Sequence, residues 1–316
     1  MNYRNLFKVG FLLFSMLFIV SCSKDEDDNT EPSAETYNTT VEVTDAPIDN
    51  AEVKGAFVTI TNIKINGKAL EGFNTTTVDL LAYQNGETLP LGDVDLEAGA
   101  TSTIVVELSN DADDKGEAVA NYILLEGGEK VELALGTTEI VLTDAAEVVA
   151  GANNAIVLDF DLRKMIAAEG EGYKFVSGSD LQGSIRAVNR VNAGAIAGTV
   201  EDSNDTAETI VVYAYEKGKY SADQANENAS GVAFSGAVNS AVVSETNGSY
   251  SLNFLEEGEY ELHYAAYEQD ETTGEMTFKG MLAVTAATGL DFEILGLSIA
   301  ARSTTKADVV VTGMKQ

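Results

Sequence analysis

The chain has 316 residues and a formal charge of −32, with 19 Lys and Arg against 51 Asp and Glu. No basic stripe exists to release counterions, so nucleic acid is excluded as a partner; the acidity serves solubility first and attraction for divalent cations second. Cys22 is the single cysteine, which excludes an internal disulfide and any cysteine-based metal cluster, and the chain has one histidine, His263, and no tryptophan.

Arg4 and Lys8 form a short positive region, followed by an apolar run from Phe11 to Val20. That run is shorter than the roughly 20 residues a spanning helix needs but fits a secretory signal peptide. It ends at Ile19-Val20-Ser21-Cys22, which resembles the bacterial lipobox, with an aliphatic residue at −3, a small one at −1 and cysteine at +1. The resemblance implies cleavage after Ser21 and acylation of Cys22, and loss of Arg4 and Lys8 takes the charge from −32 to −34. Acyl chains contribute about 0.8 kcal/mol per buried methylene, and stable anchoring takes more than one chain. Membrane lipid is therefore the expected partner, held through acylated Cys22. The run Asp25-Glu26-Asp27-Asp28 resembles the export signal of Bacteroidetes lipoproteins, implying an outer-membrane anchor with the protein facing the cell exterior. Read without that resemblance, it is a solvated, self-repelling tether. Residues 22–37 are polar, lack periodicity and contain Pro32, so a disordered tether spanning roughly 20 Å is expected.

From residue 38 onward the pattern is short β-rich runs separated by turn signals. Val41 and Val43 alternate with polar neighbours. In Phe57–Ile65, Val58 and Ile60 hold one phase and Ile63 and Ile65 the other, which predicts a bulge near Thr61-Asn62. Asn66-Gly67 predicts a type I′ turn. Further strands are expected at 77–81, 101–108, 122–125, 131–135, 138–142, 173–176 and 184–191. In Ala155–Leu162, Ile156, Leu158, Phe160 and Leu162 face one way, and Val157, Asp159 and Asp161 the other. Arg163–Ala168 is the best helical candidate. Many short strands at this spacing predict an antiparallel sandwich.

The ordered motifs Thr44-Asp45-Ala46-Pro47, Val78-Asp79-Leu80-Leu81, Leu91-Gly92, Leu96-Glu97-Ala98-Gly99 and Val157-Leu158-Asp159-Phe160-Asp161 resemble a domain-of-unknown-function family common in bacterial lipoproteins, number four-three-eight-two. The resemblance covers about residues 38–192 and implies secretion and a β-sandwich, with no activity. A second unit begins at Gly194-Ala195-Ile196-Ala197-Gly198-Thr199-Val200. A strand follows at 210–215, and Asn247-Gly248 is expected to turn a hairpin into Ser249–Phe254. Asn247-Gly248-Ser249-Tyr250-Ser251-Leu252 and Glu257-Gly258-Glu259-Tyr260-Glu261-Leu262 resemble the repeated motifs of carboxypeptidase regulatory-like domains. That resemblance implies a transthyretin- or immunoglobulin-like sandwich over residues 193–316, a spacer or adhesive module without peptidase activity. The expected organisation is a lipoprotein signal peptide at 1–21, an acidic tether at 22–37, and β-sandwiches at 38–192 and 193–316. The fold class is all-β, two antiparallel β-sandwiches in tandem.

Candidate sites are few. Asp159 and Asp161, two apart on a strand, share a face about 7 Å apart. They form a hard-cation site for Ca²⁺ if a loop carboxylate such as Asp45 or Asp49 joins them, or otherwise a solvated outer face. Asp111-Ala112-Asp113-Asp114 reads as a solvated turn. His263, between Leu262 and Tyr264, turns away from the core, and no G-x-S-x-G motif accompanies it. Tyr213 with Tyr215, and Tyr260 with Tyr264, form either a glycan or peptide platform or core, with core preferred and Tyr260 bonding back to the backbone. Asp205-Thr206-Ala207 resembles the O-glycosylation acceptor of Bacteroidetes secreted proteins, making Thr206 a candidate acceptor. The chain is read as a non-enzymatic surface lipoprotein with a structural or adhesive role and no cofactor. A capture module for an extracellular protein or glycan is the alternative, and a carboxylate-dependent hydrolase such as a glycoside hydrolase the third reading.

Overall fold

Among the described residues, alternating β-branched, aliphatic and aromatic residues make strands the dominant regular structure, with only short helical turns beside them. The structure is a computed structural model that describes residues 34–46, 53–99, 103–143, 145–169, 172–270, 276–287 and 294–315. In chain order, the first half carries β1 (Thr36–Ala46), β2 (Val53–Ile65), β3 (Lys68–Ala69), β4 (Thr76–Asp79), β5 (Leu89–Glu97), β6 (Ile104–Leu108), β7 (Tyr122–Leu125), β8 (Lys130–Glu132), β9 (Glu139–Leu142) and β10 (Asn154–Asp161). A one-turn helix α1 (Leu162–Met165), β11 (Ile166–Glu169), β12 (Gly172–Phe175), the short α2 (Ser179–Gly183) and β13 (Ile185–Asn189) complete it. The second half carries β14 (Ala193–Glu201), β15 (Thr209–Glu216), β16 (Asn239–Val242), β17 (Ser249–Glu256), β18 (Gly258–Gln269), β19 (Met276–Ala286), β20 (Leu297–Ile299), β21 (Thr304–Lys306) and β22 (Val309–Met314).

In the first half, a four-stranded sheet ordered β13-β10-β1-β5 faces a seven-stranded one built on β8-β7-β2-β6-β9, with β3 and β4 also pairing with β2. Pairing is mostly antiparallel, but β1 and β10 run parallel, Val43 opposite Leu158. Val41, Val43, Ile156, Leu158 and Phe160 from one sheet pack with Val58, Ile60, Ile63 and Ile65 from the other. The predicted bulge is present: the β2–β6 register shifts between Ile60 and Asn62, which lets both phases of β2 point into the core. Asn66 (φ 51°) and Gly67 (φ 79°) both lie in the left-handed region, as a type I′ turn requires. The expected helix at 163–168 shrinks to one turn. Asp161 caps it by accepting from the Lys164 N–H, and the chain then re-enters a β-ladder in which Ile166 pairs with Phe175.

The second half is one nine-stranded sheet whose main path is β16-β15-β18-β19-β22-β14-β17, with β20 on β18 and β21 on β14. β14 runs parallel to both β21 and β22. Asn247-Gly248 does turn the chain, but not within one ladder: β16 pairs with β15 and β17 with β14. The turn instead links the two ends of the sheet, which curls until they meet. Ser244 N–H donates to the Ser249 carbonyl at 2.8 Å, and Asn239 Nδ2 to the Asn253 carbonyl at 2.9 Å. The concave face holds Ile196, Val212, Leu252, Leu262, Tyr264 and Leu282. Tyr260 Oη donates to the Glu256 carbonyl at 3.0 Å, the expected bond back to the backbone.

The other face of β15 and β18 is also dry. Segment 217–238 folds over it and places Phe234 against Val211, Tyr213 and Tyr267. Tyr213 stacks on Phe234 with centroids 4.2 Å apart, and its hydroxyl meets that of Tyr267 at 2.7 Å. Both tyrosine pairs are therefore core. His263 does point away from the concave core, yet it is buried, stacked on Tyr220 at 3.6 Å. Turning away from the concave core does not bring it to water, because the outward face is covered. Burial, and then the charge of Lys315, push its imidazole down to about 4, against the pull of Glu261 at 3.8 Å.

Candidate functional site

β10 lies between β1 and β13, so its residues meet neighbours on both edges and both faces. Its inward side chains fill the first core. Its other face carries Asp159 and Asp161, and the second half packs on it. The solvated outer face expected for these two does not exist: Asp159 is 4% exposed and Asp161 6%. The parallel register sets Thr44 opposite Asp159 and Ala46 opposite Asp161, and Asp45, 6% exposed, joins them at the same end of the sheet. The structure thus brings together three of the four candidate metal ligands. Asp49 lies outside the described residues, as do Cys22 and the acidic run at 25–28.

Cations from this same half meet the carboxylates. Asp161 Oδ2 lies 3.2 Å from Arg163 Nη2 and 3.2 Å from Lys164 Nζ. Burial alone would raise Asp161, but those two charges hold it below the ordinary carboxylate range. Asp159 Oδ2 accepts from Arg186 Nη2 at 2.5 Å. Burial nevertheless leaves Asp159 raised, with Arg186 opposing and Asp161 adding to the rise. Among the described residues no cation pairs with Asp45, which accepts from Gln84 Nε2 and the Leu162 N–H, both at 3.4 Å. Burial and the neighbouring Asp159 push it well above the usual carboxylate range, so the protonated form is favoured there. Among the described residues, no three acidic, histidine or cysteine side chains are arranged to hold a metal ion.

The same cations reach across the seam between the halves. Arg163 Nη1 donates to the Ala233 carbonyl at 2.7 Å and the Phe234 carbonyl at 3.4 Å, and Nε to Ser240 Oγ at 3.3 Å. Its guanidinium also lies 4.9 Å from the Tyr213 ring. Lys164 Nζ donates to the Ala237 carbonyl at 2.7 Å. Arg186 donates to the carbonyls of Phe254 at 2.5 Å and Asn253 at 3.1 Å. Two of these acceptors have unusual backbones: Phe234 (φ 50°) and Phe254 (φ 54°) occupy the left-handed region, which bulky residues avoid. Their surroundings hold the strained conformation, and the carbonyls meet the arginines. Val232, from the segment that covers β15, enters the core of the first half. A polar cavity of about 110 Å³ remains at the seam, lined by Asp45, Asp159, Gln84, Asn239 and Asn253 among others.

This arrangement suits structure better than chemistry. A hydrolase needs one carboxyl free to donate a proton and one free to attack or activate water, whereas Asp159 and Asp161 are both held in ion pairs. Elsewhere, Asp113 accepts from the N–H groups of Lys115 and Glu117, closing its own turn as a solvated loop would. Thr206 is half-buried between β14 and β15, its N–H bonded to Asp202 Oδ2 at 2.7 Å. Arg163, Lys164 and Arg186 escaped the sequence reading. The available signal was their rarity: basic residues number 19, and two of them directly follow Asp161.

Residues 38–177 match the model of a domain of unknown function, DUF4382. No curated protein matches the chain. Among solved structures, the Bacillus anthracis TIE protein is 14% identical with a TM-score of 0.18; the match covers 87% of this chain and 34% of that one, so this chain spans about a third of its length. BcpA, the major pilin subunit of Bacillus cereus, is 11% identical with a TM-score of 0.21, covering 89% and 71%. GBS52, a minor pilin of Streptococcus agalactiae, is 10% identical with a TM-score of 0.19, covering 88% and 97%. At such scores the likeness carries no argument about function.

Two outcomes follow for the seam. Replacing Arg163 by Met leaves Asp161 short of a buried partner and the Ala233 carbonyl without its donor, so unfolding free energy in urea falls by about 3–5 kcal/mol. Asp45→Asn acts in the opposite direction. Asp45 is raised in the folded state, so wild type loses stability as pH rises from the unfolded carboxylate value near 3.9 through the folded one. The Asn variant therefore melts higher than wild type at pH 8, and the difference vanishes toward pH 3; a difference independent of pH contradicts this assignment.

Proposed function

We propose that this chain is an outer-membrane surface lipoprotein, anchored through acylated Cys22, whose β-structured body has a structural or adhesive role rather than an enzymatic one. The observation that carries the reading is the buried seam. The acids that would do chemistry, Asp159 and Asp161, are instead ion-paired to residues that clamp carbonyls of the second half. Such a body transmits force and presents surfaces, and has no need of a catalytic cleft. In this reading the second half is a carboxypeptidase regulatory-like spacer, the acidic run after Cys22 is the export address, and Thr206 is an O-glycan acceptor. Glycan capture has less support, because Tyr213, Tyr215, Tyr260 and Tyr264 are buried and leave no stacking platform.

Brief proteolysis of intact cells tests the placement. The expected result is release of the folded body into the supernatant, and Cys22→Ala should leave the membrane fraction altogether. A body that stays with the cells until the outer membrane is permeabilised overturns the surface assignment.

A further inference from the structure

Between β9 and β13 the molecule leaves a groove of about 390 Å³. Among the described residues both flanking strands are sheet edges: β9 pairs with β6 alone, and β13 with β10 alone. The ladders fix which way the peptide groups face. Leu108 N–H donates to the Thr138 carbonyl at 2.8 Å, so Ile140 and Leu142 continue bonding toward β6 and the peptide of Val141 turns away. Asp161 N–H donates to the Ser184 carbonyl at 2.8 Å, so Arg186 and Val188 bond toward β10. Ile185 and Ala187 then turn N–H and C=O away from β10 toward the groove; Ala187 is half-buried there, while Ile185 is 4% exposed. An unpaired edge is a template for a further strand; β9 comes within 8 Å of β13, Cα to Cα, closer than the roughly 9.5 Å needed to seat a strand between them, so the template is the β13 edge.

The side chains specify what would enter. Val141 and Val188 make an apolar wall on the first half, with Val238 opposite, while Glu216 and Glu256 supply exposed negative charge from the second half. Arg186 also lines the groove, but its Nη atoms are engaged by Asp159, Asn253 and Phe254. We propose that the groove takes an extended segment of a partner protein that alternates apolar residues with Lys or Arg and adds as a strand along the β13 edge. Main-chain bonds would supply affinity, and the alternating side chains specificity. A second copy of this chain is disfavoured as the occupant, since each copy carries a formal charge of −32. The inference does not depend on where the chain is anchored.

Two short synthetic peptides, one alternating Lys with Val and the other Glu with Val, test it against the folded body by amide hydrogen exchange. The Lys peptide should slow exchange at Ile185 and Ala187, and the Glu peptide should not. Reversing both charges, Glu216→Lys with Glu256→Lys, alters exposed residues only and should shift the preference toward the Glu peptide by about tenfold or more, the equivalent of about 1.4 kcal/mol. Ala187→Pro, which removes an outward N–H, should abolish the protection read at Ile185. Unchanged exchange at Ile185 and Ala187 with either peptide at about 1 mM overturns the proposal, and so does a preference that ignores the charge reversal.

Discussion

Six ionisable groups gather at one end of β10, and the cost of burying them sets the terms for the rest of the molecule. Moving an ion out of water costs several kcal/mol even after relaxation, and the cost is recovered only where geometry and extra hydrogen bonds are good. Here Asp161 meets Arg163 and Lys164, and Asp159 meets Arg186. The remaining donors of those cations need acceptors, and the backbone of the second half supplies them at Ala233, Phe234, Ala237, Asn253 and Phe254. Among the described residues no cation pairs with Asp45, and burial and Asp159 raise its carboxyl well above the ordinary range. The first half therefore cannot satisfy its own cations without the second. Isolated, it would expose them to water and leave the face of β10 bare.

That dependence explains features otherwise hard to place. Phe234 and Phe254 hold left-handed backbones where their carbonyls meet guanidinium groups, and such strain persists only where the surroundings over-determine it. Val232 crosses into the first core, and Ser230 Oγ donates to Asp180 of the first half. Glu35–Gln316 accordingly forms one compact unit, although its two halves use separate sheets.

Much of the fold was legible because β alternation records which residues share a face. The β2 bulge was visible as a phase slip from Val58 and Ile60 to Ile63 and Ile65. The Asn66-Gly67 turn was visible in its composition, and the Tyr260 bond in its motif. Alternation does not record whether the second face is covered. Alternation puts Asp159, Asp161 and His263 on the correct face without saying what lies over it: it leaves the aspartates as a cation site or a solvated face, and His263 as merely turned from the core. In each case another segment of chain covers them: the second half over β10, and segment 217–238 over β15 and β18. Short helices fail for a related reason, since Leu162–Met165 is fixed by its cap and the ladder that follows, both of them tertiary facts. The carbonyl acceptors at the seam belong to backbone geometry and leave no mark on side-chain pattern.

Calorimetric unfolding of the 35–316 body tests the central claim most directly, because a shared charged seam demands that the halves unfold together. The account predicts a single transition whose calorimetric and van't Hoff enthalpies agree. Two resolved transitions, one for each half, would contradict it.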